Sequence, residues 1–349
     1  MAYISFKPSD YISTLLYTGT GSSLANTGVG FQPDFTWIKS RSHTNYHTLT
    51  DSVRGVTKQL FCNTTDAEQT SATNLSSFDS DGFTVVSAND VNGSARTYAS
   101  WNWKMGTTSG LSGGTITPSS YSINTTAGQG VYAYTGNGTG GATIPHGLGK
   151  VPTFIMAKKL NSTGSWMVYH KSQGAAKAGY LDSTSAFSSG TAVWNSVTPT
   201  TTLITIGTDA DINGNTDTFV MYAFCDVPGY FHTTQYEGSG AENGNYIPLG
   251  FEPAWVMIKE TDSTSGWCMY DNKRPLSNPG YYNVNQNFLQ AQEEGVESDN
   301  SNLALDFLSN GIKIRNSAGD INGSGNTYVV MAFAKFPLIG SDGNPGLAR

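Results

Sequence analysis

The chain has 349 residues, a net charge of −7 and only 13% charged residues, against about 25% in an ordinary globular protein. No basic run supplies a phosphate-tracking groove, which argues against nucleic-acid binding. No apolar run resembles a signal core or a membrane span, so folding in a cytosol is expected.

With 40 glycines and 12% aromatic residues, the composition suits strands joined by tight turns rather than long helices. The first 16 residues read as an N-terminal arm. Beyond them the chain repeats itself. Tyr17-Thr18-Gly19 leads to Gly30-Phe31-Gln32-Pro33 and Phe35-Thr36-Trp37-Ile38-Lys39. Tyr134-Thr135-Gly136 leads to Gly149-Lys150-Val151-Pro152 and Phe154-Ile155-Met156-Ala157-Lys158. Tyr236-Glu237-Gly238 leads to Gly250-Phe251-Glu252-Pro253 and Trp255-Val256-Met257-Ile258-Lys259. A second anchor recurs as Asp90-Val91-Asn92-Gly93, Asp211-Ile212-Asn213-Gly214 and Asp320-Ile321-Asn322-Gly323, each followed five residues later by Tyr98, Phe219 or Tyr328. An internal repeat of this length sets the architecture before any motif is weighed.

The predicted organisation is all-β: three tandem β-sandwich, jelly-roll-like repeats of about 90–100 residues. They span 17–103, 134–224 and 236–333. A Gly/Ser/Thr linker at 104–133 separates the first two, a short linker at 225–235 the last two, and 334–349 form a C-terminal arm. The Asn-Gly pairs predict hairpin turns. The strands Phe219-Val220-Met221-Tyr222-Ala223-Phe224 and Tyr328-Val329-Val330-Met331-Ala332-Phe333 are apolar on both faces. One face should meet the repeat's own core, and the other a second sheet, another repeat or another subunit. The segment Asn287–Glu294 is the one helix expected, of about two turns.

Reactive groups do not recur with the framework. Asp209, Asp211 and Asn213 match the first half of a calcium loop, but Val220 stands where the bidentate carboxylate belongs. A turn in which Asp209 caps backbone N–H groups is the competing reading. His43, His47, His146, His170 and His232 are scattered, and no nucleophile elbow or carboxylate pair for glycoside hydrolysis is evident. Cys62, Cys225 and Cys268 sit at non-equivalent places and predict buried thiols rather than disulfides or zinc ligands. No cofactor is expected. Two sets of residues are interaction candidates. Lys39, Lys158 and Lys259 recur and offer either equivalent contacts to a partner or strand-end charges. Trp166 and Trp267 follow their lysines by eight residues and offer either sugar-stacking platforms or core, with His47 in their place in the first repeat.

Phe6-Lys7-Pro8-Ser9-Asp10-Tyr11, Leu16-Tyr17-Thr18-Gly19-Thr20-Gly21, the run from Val29 to Arg41, Asp51-Ser52-Val53-Arg54-Gly55, Ser80-Asp81-Gly82-Phe83, Trp101-Asn102-Trp103 and the tail Gly340–Arg349 resemble an uncharacterised repeat family in virion proteins of marine tailed bacteriophages. The likeness spans essentially the whole chain, although repeats two and three lack an Asp-Ser-Val-Arg-Gly segment. It carries over no active-site residue. It implies a non-enzymatic virion protein, assembled in the host cytoplasm, in a tail fibre or tail tip that recognises the host surface. A homotrimer contacting other virion proteins and a host glycan or protein receptor is expected. The alternatives are a capsid-decoration or head-surface protein and, third, a polysaccharide-binding or depolymerising protein.

Overall fold

A computed structural model describes residues 5–274 and 284–337. Its three large antiparallel sheets share one strand order. In unit 1, Ile12–Thr18 lies beside Thr97–Trp103, followed by Phe35–Ser40, Thr48–Asp51, Lys58–Phe61 and Gln69–Thr70. Unit 2 repeats this with Gln129–Thr135, Thr218–Cys225, Pro152–Lys159, Met167–His170, Lys177–Tyr180 and Ser188–Ser189, and adds Ser120–Asn124 at the outer edge. Unit 3 repeats it with Phe231–Glu237, Thr327–Pro337, Phe251–Glu260, Trp267–Asp271, Asn287–Gln290 and Ser298–Asp299.

Each large sheet carries a smaller sheet on its outer face. Unit 1 uses Leu24–Thr27, Gly82–Val85 and Leu75–Asp79. Unit 2 uses Ala142–Pro145 and Leu203–Ile206. Unit 3 uses Tyr246–Pro248, Gly311–Ile314, Leu305–Leu308 and Val284–Asn285. In unit 2 a helical turn, Thr191–Trp194, lies beside its two-stranded sheet and buries Trp194.

The doubly apolar strands explain how the units combine. Side chains alternate across a strand. Phe219, Met221 and Ala223 therefore enter the outer core of unit 2 with Ile144, Ile204 and Ile206. Val220, Tyr222 and Phe224 point the other way, into a core that also holds Trp37, Trp101 and Trp103 of unit 1 and Trp255, Met331 and Phe333 of unit 3. Tyr328, Val330 and Ala332 face the outer core of unit 3, while Val329 joins the common core. The second apolar face is thus covered by the other repeats of the same chain. Aromatic edge-to-face contacts fill the centre, such as Trp103 against Trp255 at 6.2 Å between ring centroids. The void left among these side chains is about 10 Å³, at or below the room one water needs. Each fully buried large apolar side chain contributes roughly 1.5–3 kcal/mol, so this core ties the units together.

Several boundaries differ from the sequence expectation. Ile12–Thr18 is a sheet strand paired along its length with Thr97–Trp103, so the N-terminal arm ends before residue 12. Phe6 and Tyr11 also pack edge-on against Tyr230. The expected linker 104–133 contains the strand Ser120–Asn124 and most of its partner, Gln129–Thr135. Ile116, Ile123, Val131 and Tyr132 are buried there, spaced too thinly among Gly, Ser and Thr for the composition to reveal them. The second linker shrinks to a turn at 226–230, because Cys225 ends one strand and Phe231 begins the next. The last strand runs to Pro337, and residues 338–349 of the expected C-terminal arm lie outside the described residues.

The predicted helix is absent. Asn287–Gln290 is a strand paired with Trp267–Asp271, because Phe288 faces the outer core and Leu289 the common one, a period of two. In the remainder of that segment Ala291 and Gln292 form a turn. The Asn-Gly sites are not hairpin turns. They close one-turn helices, Asn89–Asn92, Ala210–Asn213 and Gly319–Asn322, and Gly93, Gly214 and Gly323 that follow have negative φ.

Candidate functional site

The recurrent residues converge on two kinds of place: the helical turns and the seams between units. At the turns, Tyr17, Tyr134 and Tyr236 donate their hydroxyls to the carbonyls of Val91, Ile212 and Ile321. They also stack on Tyr98, Phe219 and Tyr328 with centroids 5.1, 5.2 and 5.0 Å apart. The fully buried Asn213 accepts from the Asn137 N–H at 2.9 Å and donates to the carbonyls of Thr139 and Gly207 at 2.9 and 2.7 Å. Asn92 and Asn322 make the equivalent sets. A Cβ on Gly19, Gly136 or Gly238 would lie 2.4, 2.4 or 2.2 Å from the carbonyl oxygen of Gly93, Gly214 or Gly323, so close backbone approach fixes glycine there. The Tyr-x-Gly and Asp-x-Asn-Gly anchors are therefore two halves of one polar clamp.

These bonds also settle the calcium-loop residues. Asp209 accepts the Asp211 N–H at 2.8 Å and Asp211 accepts the Ser165 N–H at 2.9 Å. With Asn213 engaged as above, the three oxygen-bearing side chains hold backbone. Among the described residues no group of three His, Cys, Asp or Glu side chains is placed to hold a metal ion.

The three seams follow one pattern. Reciprocal backbone bonds join Glu68 N–H to Leu160 O and Gly164 N–H to Thr65 O between units 1 and 2. Phe187 to Thr261 and Ser265 to Thr184 join units 2 and 3, and Glu297 to Arg41 and Asn45 to Glu294 join units 3 and 1, all at 2.8–3.2 Å. Trp166 and Trp267 are buried and donate Nε1–H to Phe61 O and Tyr180 O of the preceding unit at 2.9 and 2.8 Å. Lys158 donates to Thr65 O and Gly164 O, and Lys259 to Thr184 O and Glu260 O. Lys39 donates to Ser40 O. All three lysines are wholly inaccessible. Burial lowers each to about 8, partly opposed by neighbouring acids. The five interaction candidates are therefore internal ties, and none is presented to a partner. For the lysines, inward-facing strand positions that continue the rows of Phe35, Phe154 and Trp255 decide this.

One seam element eluded the sequence reading. Asp51 accepts the backbone N–H and Nε–H of Arg54 at 2.9 and 2.6 Å. Asp271 does the same for Arg274, again at 2.9 and 2.6 Å. Unit 3 thus has the Asp-x-x-Arg core of the segment it was expected to lack, as Asp271-Asn272-Lys273-Arg274. The missed signal was the three-residue offset after a strand ending in an acid. The oxygen that takes the arginine Nε–H, Oδ2, also reaches the next unit: that of Asp51 accepts from the Tyr222 hydroxyl at 2.6 Å and that of Asp271 from Trp101 Nε1–H at 3.0 Å. Burial pushes Asp271 up, but Arg274 and the backbone donors outweigh it and hold the acid below its ordinary range. In unit 2 the position is His170, whose Nε2 donates to Val330 O at 3.1 Å while Nδ1 accepts from Ser172 N–H.

The histidines are spent in the same way. His47 Nδ1 accepts from Trp37 Nε1–H at 2.9 Å, and burial drives its pKa well below the ordinary value. Its Nε2 makes no hydrogen bond of good geometry, although it occupies the place of Trp166 and Trp267. His146 contacts Thr200 O at 3.2 Å. His43 meets the adjacent Ser42 hydroxyl at 2.9 Å, and His232 pairs with Asp226 at 3.3 Å. Cys62, Cys225 and Cys268 are buried and unpaired, and burial raises all three thiols. Such groups are poor nucleophiles.

The geometry defines an all-β protein of three sheets closed around a shared core. The chain belongs to the family described as a domain of unknown function, DUF7483, which matches residues 7–337. No curated protein shows significant similarity to it. Among the described residues no helix is long and apolar enough to cross a membrane.

Proposed function

We propose that the protein is a non-enzymatic structural component of a tailed-phage virion, placed in a tail fibre or tail tip where it helps recognise the host surface. The observation that carries this reading is the destination of the recurrent polar groups. The recurrent lysines, Asn-Gly asparagines and Asp-x-x-Arg acids bond to framework, which suits a part whose task is to keep its shape. The resemblance to virion proteins read from the sequence supports the proposed location. The compact arrangement of three units around one core, in place of an elongated shaft, favours decoration of the head surface as the second reading.

Labelling the protein within intact particles and imaging the label tests both. Signal at the tail supports the first reading, signal on the head the second, and no signal in purified particles removes both. Release of glycans from host envelope by the purified protein would instead support a depolymerase. A homotrimer in this setting would form through outward loops, since the apolar inner faces meet within one chain. Anchoring by the N-terminus is best tested by removing residues 1–4, because removing 1–16 also deletes most of a sheet strand.

A further inference from the structure

The three seams are built alike, but the chain crosses only two of them. Residues 104–119 join units 1 and 2, and 226–230 join units 2 and 3. The seam between units 3 and 1 closes without a covalent connection. It nevertheless carries the same reciprocal backbone pair as the others. It adds a two-pronged ion pair, Arg41 Nε and Nη2 to Glu297 at 2.9 and 2.7 Å, and Arg274 over the Trp101 ring at 5.6 Å. Nothing in this contact depends on the two units belonging to one chain. The connection to unit 1 is also loosely held. Residues 108–114 are exposed except for Leu111, which is half-buried. Gly110, Gly113 and Gly114 there adopt positive φ. Leu111 N–H to the Tyr121 hydroxyl, at 2.7 Å, ties the middle of the segment. Seven residues reach up to roughly 25 Å when extended.

We propose that the surfaces flanking unit 1 accept unit 1 of a second copy of this chain, so that two chains exchange their first units about the 108–114 hinge. The exchanged dimer holds two complete rings. Each retains its three seams and its common core of Phe35, Trp37, Trp101 and Trp103 against units 2 and 3. Only the hinge differs from the monomer. Exchange therefore loses association entropy and gains nothing in contacts, the condition under which domain swapping depends on concentration during folding.

The full-length protein is unfolded and refolded as an equal mixture of 14N- and 15N-labelled chains, at low and high concentration. Expected is a dimer fraction that rises with refolding concentration, with about half of the dimers of mixed mass. Persistence of the monomer at every concentration overturns the proposal. Side-by-side dimers are separated from exchanged ones in two ways. In the R41C/E297C variant, oxidation links two chains in an exchanged dimer but closes within one chain in a side-by-side dimer. Independently, a protease site inserted between Gly113 and Gly114 is cut in the purified dimer. The particle mass halves if the units are exchanged, because each nicked ring is complete. A dimer that keeps its mass after cutting, or whose introduced disulfide lies within a chain, refutes exchange.

Discussion

His170 gives the seam between units 2 and 3 a defined response to acid. Its ring is buried, with Nε2–H committed to Val330 O and Nδ1 accepting from Ser172 N–H. A proton on Nδ1 would displace that N–H and leave a buried cation. Burial, the main cause, lowers the pKa from 6.5 to about 4. Above 6.5 the ring is neutral whether the chain is folded or not, so pH has no effect through this group. Below 6.5 the unfolded chain takes the proton first, and stability falls until pH reaches about 4. At about 1.4 kcal/mol per pH unit the total loss is about 3 kcal/mol. The assay is urea unfolding at pH 7, 6, 5 and 4 of the wild type and His170→Gln. Carboxylates and the other histidines titrate in both proteins and cancel in the comparison. The wild type should lose about 3 kcal/mol more than the variant between pH 7 and 4. Parallel pH curves would refute the assignment of a buried neutral imidazole.

The lysines predict a slope of the same sign at high pH. Their pKa values of about 8 lie below the unfolded value, so stability should rise between pH 8 and 10. Lys158→Met should flatten that slope in chemical denaturation, before the raised tyrosines Tyr132 and Tyr134 reverse it above pH 10. Asn213→Ala removes three bonds to backbone groups and should cost about 2–4 kcal/mol by equilibrium unfolding, whereas Asp66→Ala on an exposed loop should stay within about 0.5 kcal/mol. Gly136→Ala forces a Cβ to 2.4 Å from the Gly214 carbonyl. It should lower the thermal midpoint by more than Gly149→Ala, where no atom crowds the added carbon and only the positive φ of 68° opposes it.

The three-unit organisation was legible because the framework residues recur at fixed offsets. Two-sided burial was legible in Val220-Met221-Tyr222 and Val329-Val330-Met331, where alternation is lost. The roles of the lysines and tryptophans were not. A strand-end lysine and a buried one have the same sequence spacing, and only closure of the three sheets around one core shows that Lys158 meets Thr65 of another unit. The helix expected at 287–294 failed because Phe288-Leu289 serves two cores at once, which mimics a short apolar helical face. The Asn-Gly turns failed for a related reason. Their glycines have negative φ, and the atom nearest an added Cβ is the end of a movable side chain, such as Asp217 Oδ2 at 2.1 Å from Gly214, so the pairs do not mark the positive-φ turn that Asn-Gly usually signals.

Closure of the three sheets around a shared core is most directly tested by small-angle X-ray scattering of the full chain in solution. A closed arrangement of this length predicts a radius of gyration of about 20 Å, whereas three separate units in a row would give about 28 Å. A value near the smaller figure, with a single-peaked distance distribution, agrees with the common core. A value near the larger one, with a second peak at the spacing between units, would contradict it.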